Sequence, residues 1–365
     1  MMYLINGKFL AEQLTGMQRY AIEILKELDK IAQPGEFRVV APEASKNIPV
    51  LNNIEVVKYG KRLGIPWEQF TLPYYMAKNH IKECISLLSI APILRPRGLI
   101  VAHGVNYKVN PQFFKSRRDK LSRFWHIFNF LWYFTFAKKI VTVSNFSKSE
   151  IIRVYHVPEE RITVASNAWQ HMNDIVAAED TFERYAFLQK GKYYYSLSSV
   201  NDNKNFKWIV FVAQKNPNSQ FAIAGGRSLQ GYLNRLGIKK PDNVHFLGYV
   251  TDEDNKSLMI YCKAFLFPTY YEGFGIPPME AMSCGAVAIV SDTPTMHEVY
   301  EDTVHYINPD NYDVNLEQIM KEDVAPAKKV LEKYSWKKSA KTIYELSQSR
   351  LRSCWTTDMH RAVRD

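Results

Sequence analysis

Apolar positions follow two different periods along this chain. Short β-branched and aromatic runs recur at 3–5, 37–41, 54–59, 99–102, 140–143 and 161–166, then at 193–197, 221–224, 244–247, 264–269 and 286–291. Each predicts a buried strand. Helical spacing falls between them. Over 17–31, Tyr20, Ile24, Leu25, Leu28 and Ile31 share one face. Further helices are expected near 74–88, in one or two pieces over 113–139, from Ser147 as a capping-box start, and at 204–214, 229–236, 252–261 and 279–284. The segment 6–16 reads as a loop and 324–354 as largely helical. Strands alternating with crossover helices predict parallel sheets covered on both faces. The segment 170–192 is charged and aperiodic, which suits a link between two α/β units.

With 365 residues, 46% of them hydrophobic, the chain can build two sizeable cores. Cys84, Cys262, Cys284 and Cys354 are widely spaced and fit reduced thiols rather than a metal site. No leader and no apolar run near the ~20 residues of a membrane span is expected, which fits a cytoplasmic protein. The formal charge is +10, and it is unevenly placed. Between Lys61 and Lys139 fourteen Lys and Arg face three acids, a local +11 that leaves the remainder near neutral. Such a region marks an anionic partner: nucleic acid, membrane surface or phosphorylated substrate. Here Arg117, Arg118, Lys120 and Arg123 are interleaved with Phe124, Trp125, Trp132 and Tyr133, and Trp67, Tyr74 and Tyr75 precede them. Cations among aromatics suit the water–lipid boundary. A partly buried helix with a solvated basic end is the plainer alternative.

The chemistry concentrates in 264–292, which reads as strand, glycine turn, helix and strand. Gly273-Phe274-Gly275 turns the chain, Pro277 and Pro278 suit a helix start, and Gly285 ends the helix. A glycine loop feeding a helix start is a candidate anion site. Glu272 and Glu280 bracket it. Gly16 stands at another loop-to-helix junction. His103-Gly104 follows a strand at its carboxyl end, where open α/β sheets bind ligands. Lys204, in Asn203-Lys204-Asn205, can reach a diphosphate as a point charge. Asp252 and Asp254 are expected to be helix-start acids behind the Thr251 cap rather than metal ligands. The third glycine of a dinucleotide fingerprint is absent, and no Gly-X-Ser-X-Gly elbow is present.

Glu272, Gly273, Phe274, Gly275 and Glu280 together resemble the donor-site motif of retaining glycosyltransferases of family 4. That resemblance implies the GT-B fold: two facing Rossmann-like doubly wound domains, expected at 1–170 and 171–340, with a last helix in 341–365 crossing back to the first. It implies sugar transfer from a GDP- or UDP-linked donor to an acceptor hydroxyl, without cofactor or metal. Glu272 would hold the donor sugar, Glu280 the ribose, His103 the reacting sugar, and Lys204 with Gly16 and Gly275 the diphosphate. The segment Gly248-Tyr249-Val250 would pack on the nucleobase. Two positions depart from the family pattern. Asn203 stands where an arginine is usual, leaving Arg19, Arg227 or another cation as the replacement, and Ala168 stands where the family has glycine. The expected acceptor is a lipid-linked glycan of the O-antigen or capsule kind, met at the inner face of a bacterial membrane. A nucleic-acid-binding protein or a phosphorylase of the same fold are the competing readings; the first does not explain the glycine loop with its two glutamates, the second lacks a recognisable pyridoxal phosphate lysine motif, and no nucleic-acid partner is expected.

Overall fold

The computed structural model describes residues 2–46, 48–197, 201–225 and 229–349. Seven strands form the first sheet: β1 (Tyr3–Asn6), β2 (Phe37–Ala41), β3 (Glu55–Lys58), β4 (Glu83–Ser86), β5 (Gly98–Ala102), β6 (Lys139–Thr142) and β7 (Ile162–Val164). Their spatial order is β3-β2-β1-β4-β5-β6-β7, and every ladder is parallel. Consecutive residues such as Ile100–Val101 and Ile140–Val141 are fully buried. That is the signature of strands covered on both faces. The covering helices used below are α1 (Gly16–Ile31), α2 (Leu72–Lys78), α3 (Arg117–Phe136) and α4 (Asn145–Tyr155).

The second sheet repeats the plan with β8 (Tyr193–Leu197), β9 (Gln220–Ala224), β10 (Val244–Gly248), β11 (Ala264–Phe267), β12 (Ala288–Ser291) and β13 (His305–Ile307), ordered β10-β9-β8-β11-β12-β13 and parallel. Its helices include α5 (Asp252–Tyr261), α6 (Ile276–Ser283) and α7 (Pro294–Tyr300). The strand order reverses between β1 and β4 in one sheet and between β8 and β11 in the other. A crevice opens outside the carboxyl ends at each reversal. The last described helix, α8 (Trp336–Gln348), returns to the first sheet. Its buried positions, Trp336, Ser339, Ala340, Ile343 and Ser347, fall at i, i+3, i+4, i+7 and i+11, one helical stripe. That stripe meets α1, and Tyr3 Oη donates to the Ser347 carbonyl. The end of the expected terminal helix, with Cys354, lies outside the described residues.

Several local expectations are corrected. The helix expected near 74–88 is α2 followed by β4. Glu83–Ser86 has polar residues at both ends, so no apolar run marks it as a strand, and its neighbours β1 and β5 fix it. The cap of α4 is Ser144, whose hydroxyl accepts from the Ser147 amide; Ser147 itself lies inside the helix. The loop expected at 6–16 contains a 3₁₀ turn, Gly7–Ala11. Helix α7 and strand β13 were not anticipated. Over 324–349, the described part of the 324–354 stretch, one short turn, Lys328–Leu331, precedes α8.

Candidate active site

The loop between β11 and α6 is gripped by the first domain. Gly273 packs directly on the His103 carbonyl oxygen, leaving no room for a Cβ. Its own carbonyl accepts from Ser144 Oγ at 2.6 Å and Ser147 Oγ at 3.0 Å. Two residues on, Gly275 sits at φ +86°, and a Cβ there would lie 2.8 Å from Met296 Cε. A left-handed, crowded position admits glycine alone. Glu298 of α7 reaches back across the same joint and accepts from the Asn145 and Phe146 amides at 2.7 and 2.6 Å. It caps a helix of the other domain, with a carboxylate where the helix dipole favours one.

The start of α6 offers fewer donors than a glycine loop suggests. Of its first four amide positions, Pro277 and Pro278 carry no hydrogen. The Met279 amide donates to Tyr300 Oη at 3.1 Å, and Tyr300 Oη donates to the Gly275 carbonyl. Ile276 alone remains of the four. Helix α1 is better supplied. Its N-cap residue, Thr15, makes no side-chain cap bond, and no hydrogen bond among the described residues takes the Gly16, Met17 or Gln18 amides. Gly16 lies opposite α6, its would-be Cβ 3.7 Å from Ile276 Cδ1. Two helix starts, one from each domain, therefore converge. Between them is a cavity of about 140 Å³ lined by Gly16, Arg19, His171, Tyr249, Asp252 and Glu280, among others.

The charged residues of the cavity wall and of the neighbouring loop and helix starts are mutually engaged. Lys204 Nζ is 2.7 Å from Glu272 Oε1 and 5.7 Å from the centre of the Phe267 ring. Thr295 Oγ1 donates to the Glu272 carbonyl at 2.9 Å. Asn203, expected at the donor, ties the loop: its side-chain amide donates to the Tyr271 carbonyl at 3.2 Å, and its backbone carbonyl accepts from the Tyr270 amide at 2.8 Å. Phe274 is likewise structural. Its ring is buried edge-on against Tyr334, centroids 5.1 Å apart, where it anchors the loop and is withheld from a ligand. Tyr249 is exposed at the rim, one residue after Gly248, which is at φ +69°. Arg19 reaches the cavity and pairs with Asp252 across the domains. Asp254 pairs with Arg184, and its amide donates to Thr251 Oγ1 at 3.1 Å. The pair Asp252 and Asp254 thus serves a helix start and two arginines. Arg227 lies outside the described residues.

His103 stands at the end of β5. Its Nε2 donates to the Leu87 carbonyl at 2.9 Å, and its ring meets Tyr20 edge-on at 4.8 Å. Burial pushes its pKa down to about 4, against the raising effect of the Leu87 carbonyl. The ring is neutral at pH 7. A depressed histidine contributes stability above its unfolded value near 6.5 and loses it as pH falls toward 4. The loss is on the order of 3 kcal/mol. The stability gap between wild type and His103→Gln, by urea unfolding, should therefore shrink from pH 7 to pH 4.5; a constant gap would contradict this.

Sequence reasoning missed two groups. At the carboxyl end of β1, Asn6 and Lys8 hold the fully buried Glu68, Nδ2 to Oε1 2.7 Å and Nζ to Oε2 3.1 Å. Burial raises the Glu68 pKa against the lowering effect of Lys8. The other group is His171, 2.9 Å from Glu280 Oε1. Neither sits in a recognisable motif; both are assembled only by the fold.

The basic region proves mixed. Trp67, Tyr75 and Tyr133 are core residues, so these aromatics do not face a partner. Trp132 is half-buried, its Nε1 donating to the Ile93 carbonyl at 3.0 Å. Arg123 donates to the Tyr107 carbonyl at 2.7 Å, whereas Arg117, Arg118 and Lys120 are exposed. A different stripe faces out. On α3, Leu121, Phe124, Phe128 and Leu131 follow one helical face and are 70%, 67%, 40% and 50% exposed. Phe70, Tyr74 and Leu94 are exposed too, and Gln69 and Trp132 both hydrogen-bond the 91–93 segment that precedes Leu94. Among the described residues no helix is long and apolar enough to cross a membrane.

Two family models match most of the chain between them. Residues 14–169 match "Glycosyltransferase Family 4" and 178–338 match "Glycosyl transferases group 1". The chain is 32% identical over 183 residues to the O-antigen chain mannosyltransferase RfbU of Salmonella typhimurium, covering 48% of each protein. It is 29% identical over 190 residues to O-antigen chain mannosyltransferase B of Escherichia coli, covering 48% of this chain and 49% of that protein. The matches thus span about half the length of these curated relatives. Among solved structures, Anabaena Alr3699/HepE in complex with UDP and glucose superposes with a TM-score of 0.66 at 16% identity, covering 96% of this chain and 99% of the other. WaaG, a glycosyltransferase involved in lipopolysaccharide biosynthesis, gives 0.56 at 14%, covering 96% of each. At such identities these two superpositions show a shared fold.

Proposed function

Since this chain belongs to the family 4, group 1 glycosyltransferases and has their two-domain GT-B architecture, we propose that it transfers a sugar, with retention, from a nucleoside diphosphate sugar to a hydroxyl of a surface glycan. The observation that carries this is the convergence at one interdomain cavity of the helix start at Gly16, whose cap residue makes no side-chain bond, and the buried carboxylate of Glu280, with Glu272, held by Lys204, on the loop that leads into α6. In this reading the α1 amides and Lys204 take the leaving diphosphate, Glu280 takes the ribose hydroxyls, and Tyr249 flanks the base. Glu272 and the His103 end of β5 lie where the donor sugar would sit. A fixed positive environment at the leaving group is worth most where water is excluded.

The names of the matched relatives favour mannose as the sugar and an O-antigen chain as the acceptor. The leaving group's charge is met by lysine and amides, and Asp252 and Asp254 are committed to Arg19 and Arg184. Turnover is therefore expected without metal. Incubation with a panel of GDP- and UDP-sugars, read by melting shift and by nucleotide release, tests both parts. One donor should raise the melting temperature, and its turnover should survive a chelator. Activity abolished by chelation and restored by manganese or magnesium would overturn the metal-free reading.

The exposed stripe of α3, with Arg117, Arg118 and Lys120 at its start, supports peripheral attachment to an anionic membrane, where a lipid-linked acceptor would be met. Each cation near such a surface contributes about 1 kcal/mol. Co-sedimentation with anionic vesicles should fall with salt. It should drop roughly tenfold or more when Arg117, Arg118 and Lys120 become Ser, and also when Phe124 and Phe128 become Ser. Indifference to anionic vesicles at low salt would remove the membrane part and leave the transferase part standing.

A further inference from the structure

Glu280 is oriented from outside its own helix. His171 sits on the segment that crosses from β7 to β8, and it is buried. Its ring makes two hydrogen bonds. Trp336 Nε1 is 3.2 Å from His171 Nδ1, and His171 Nε2 is 2.9 Å from Glu280 Oε1. An indole N–H can only donate. Nδ1 must therefore accept, which leaves the ring proton on Nε2, and Nε2–H donates to the carboxylate. The indole thus selects the one neutral tautomer that can hold Glu280. A ring protonated on Nδ1 would set hydrogen against hydrogen at Trp336.

The three residues come from three places: the interdomain crossing, the start of α8, and α6. Trp336 also meets Tyr20 of α1 edge-on at 5.8 Å, and Tyr20 meets His103 at 4.8 Å. The carboxylate of Glu280 is therefore referenced to the first domain as well as to its own. Glu280 Oε1 is spent on His171, and the hydrogen bonds among the described residues leave Oε2 to the cavity that both residues line. A carboxylate free to rotate would lose orientation on meeting a diol; one held by a neutral donor keeps its charge and its direction.

We propose that His171 is a positioning residue for donor binding, holding Glu280 in the rotamer that receives the nucleotide's ribose, with Trp336 fixing the tautomer. This rests on the donor-site reading of Glu280 above. The plain alternative is that His171 only fills space at the joint.

Calorimetric titration of GDP and UDP into wild type, Glu280→Ala, His171→Phe, His171→Gln and the double variant Glu280→Ala/His171→Phe separates the two. His171→Phe keeps a ring and loses both bonds, so the bound nucleotide should weaken roughly tenfold, the effect of one charge-assisted hydrogen bond. His171→Gln, which keeps a donor near Nε2, should recover most of it. In the Glu280→Ala background His171→Phe should cost little more, because a positioning effect vanishes with the group it positions. Full additivity, or no loss in His171→Phe while Glu280→Ala weakens binding, would overturn the positioning role and leave the donor site intact. Unchanged affinity for both nucleotides in Glu280→Ala would instead remove the donor-site reading, and this inference with it. A nitrogen-15 spectrum of the wild-type histidine rings needs no variant: His171 protonated on Nδ1 would overturn the tautomer assignment even if His171→Phe failed to fold.

Discussion

Gly273→Ala should lower kcat/KM about a hundredfold or more while each α/β unit keeps its secondary structure. The added Cβ has nowhere to go. It would overlap the His103 carbonyl oxygen, which belongs to the backbone at the end of β5 and cannot rotate aside. Ser147 Oγ stands 3.2 Å from the same Cβ. The loop would have to lift off the first domain, breaking the bonds from Ser144 and Ser147 to the Gly273 carbonyl. Glu272 precedes this glycine, so the displaced loop carries the Lys204 partner with it. Misplacement of reacting groups by about 1 Å costs on the order of a hundredfold, and overpacking adds about 1–3 kcal/mol of instability. Steady-state kinetics beside far-ultraviolet circular dichroism checks the pair of expectations. Near wild-type turnover would mean the two domains do not meet here during the reaction.

Gly273 also illustrates what sequence could and could not supply. Its place in the motif was legible, but not its reason. Gly275 and Gly285 answer to local rules, with φ of +86° and +87°. Gly273 is small because another domain presses on it, and that neighbour is more than a hundred residues away in the chain. The same division runs through the fold. Strands and helices with clear periods were found, as was the Thr251 cap. β4 carries no strand signal because Glu83 and Ser86 leave only two apolar residues between them. The glycine turn before α6 suggests an anion site, but a helix start with Pro277 and Pro278 has few amides to give. Motif position points Phe274 and Asn203 at the ligand; the Phe274 ring is buried, and Asn203 also fastens the loop through Tyr270 and Tyr271. His171, Glu68 and the Glu298 cap depend on tertiary partners, so no spacing announces them.

Lys204→Met should lower kcat by about a hundredfold to a thousandfold, the range for losing a preformed charge at the leaving group. The argument turns on Glu272. Lys204 and Glu272 form a partly buried pair, with side chains 27% and 12% exposed. Methionine removes the cation and leaves the carboxylate unpaired beside an incoming diphosphate. Like charges then confront each other where charge develops in the transition state. Glu272→Gln does the reverse. It frees the Lys204 cation, so diphosphate binding should hold or tighten while sugar transfer falls, because the pair no longer fixes the lysine and the sugar loses an acceptor for its hydroxyls. Lys204→Arg restores charge but brings a wide planar group to a point-charge position, and it should recover only part of the rate. Single-turnover rates with saturating donor separate chemistry from binding. If Lys204→Met keeps kcat within about threefold of wild type while Glu272→Gln loses it, the leaving-group cation is supplied elsewhere, and Arg19, drawn from Asp252, becomes the group to substitute next.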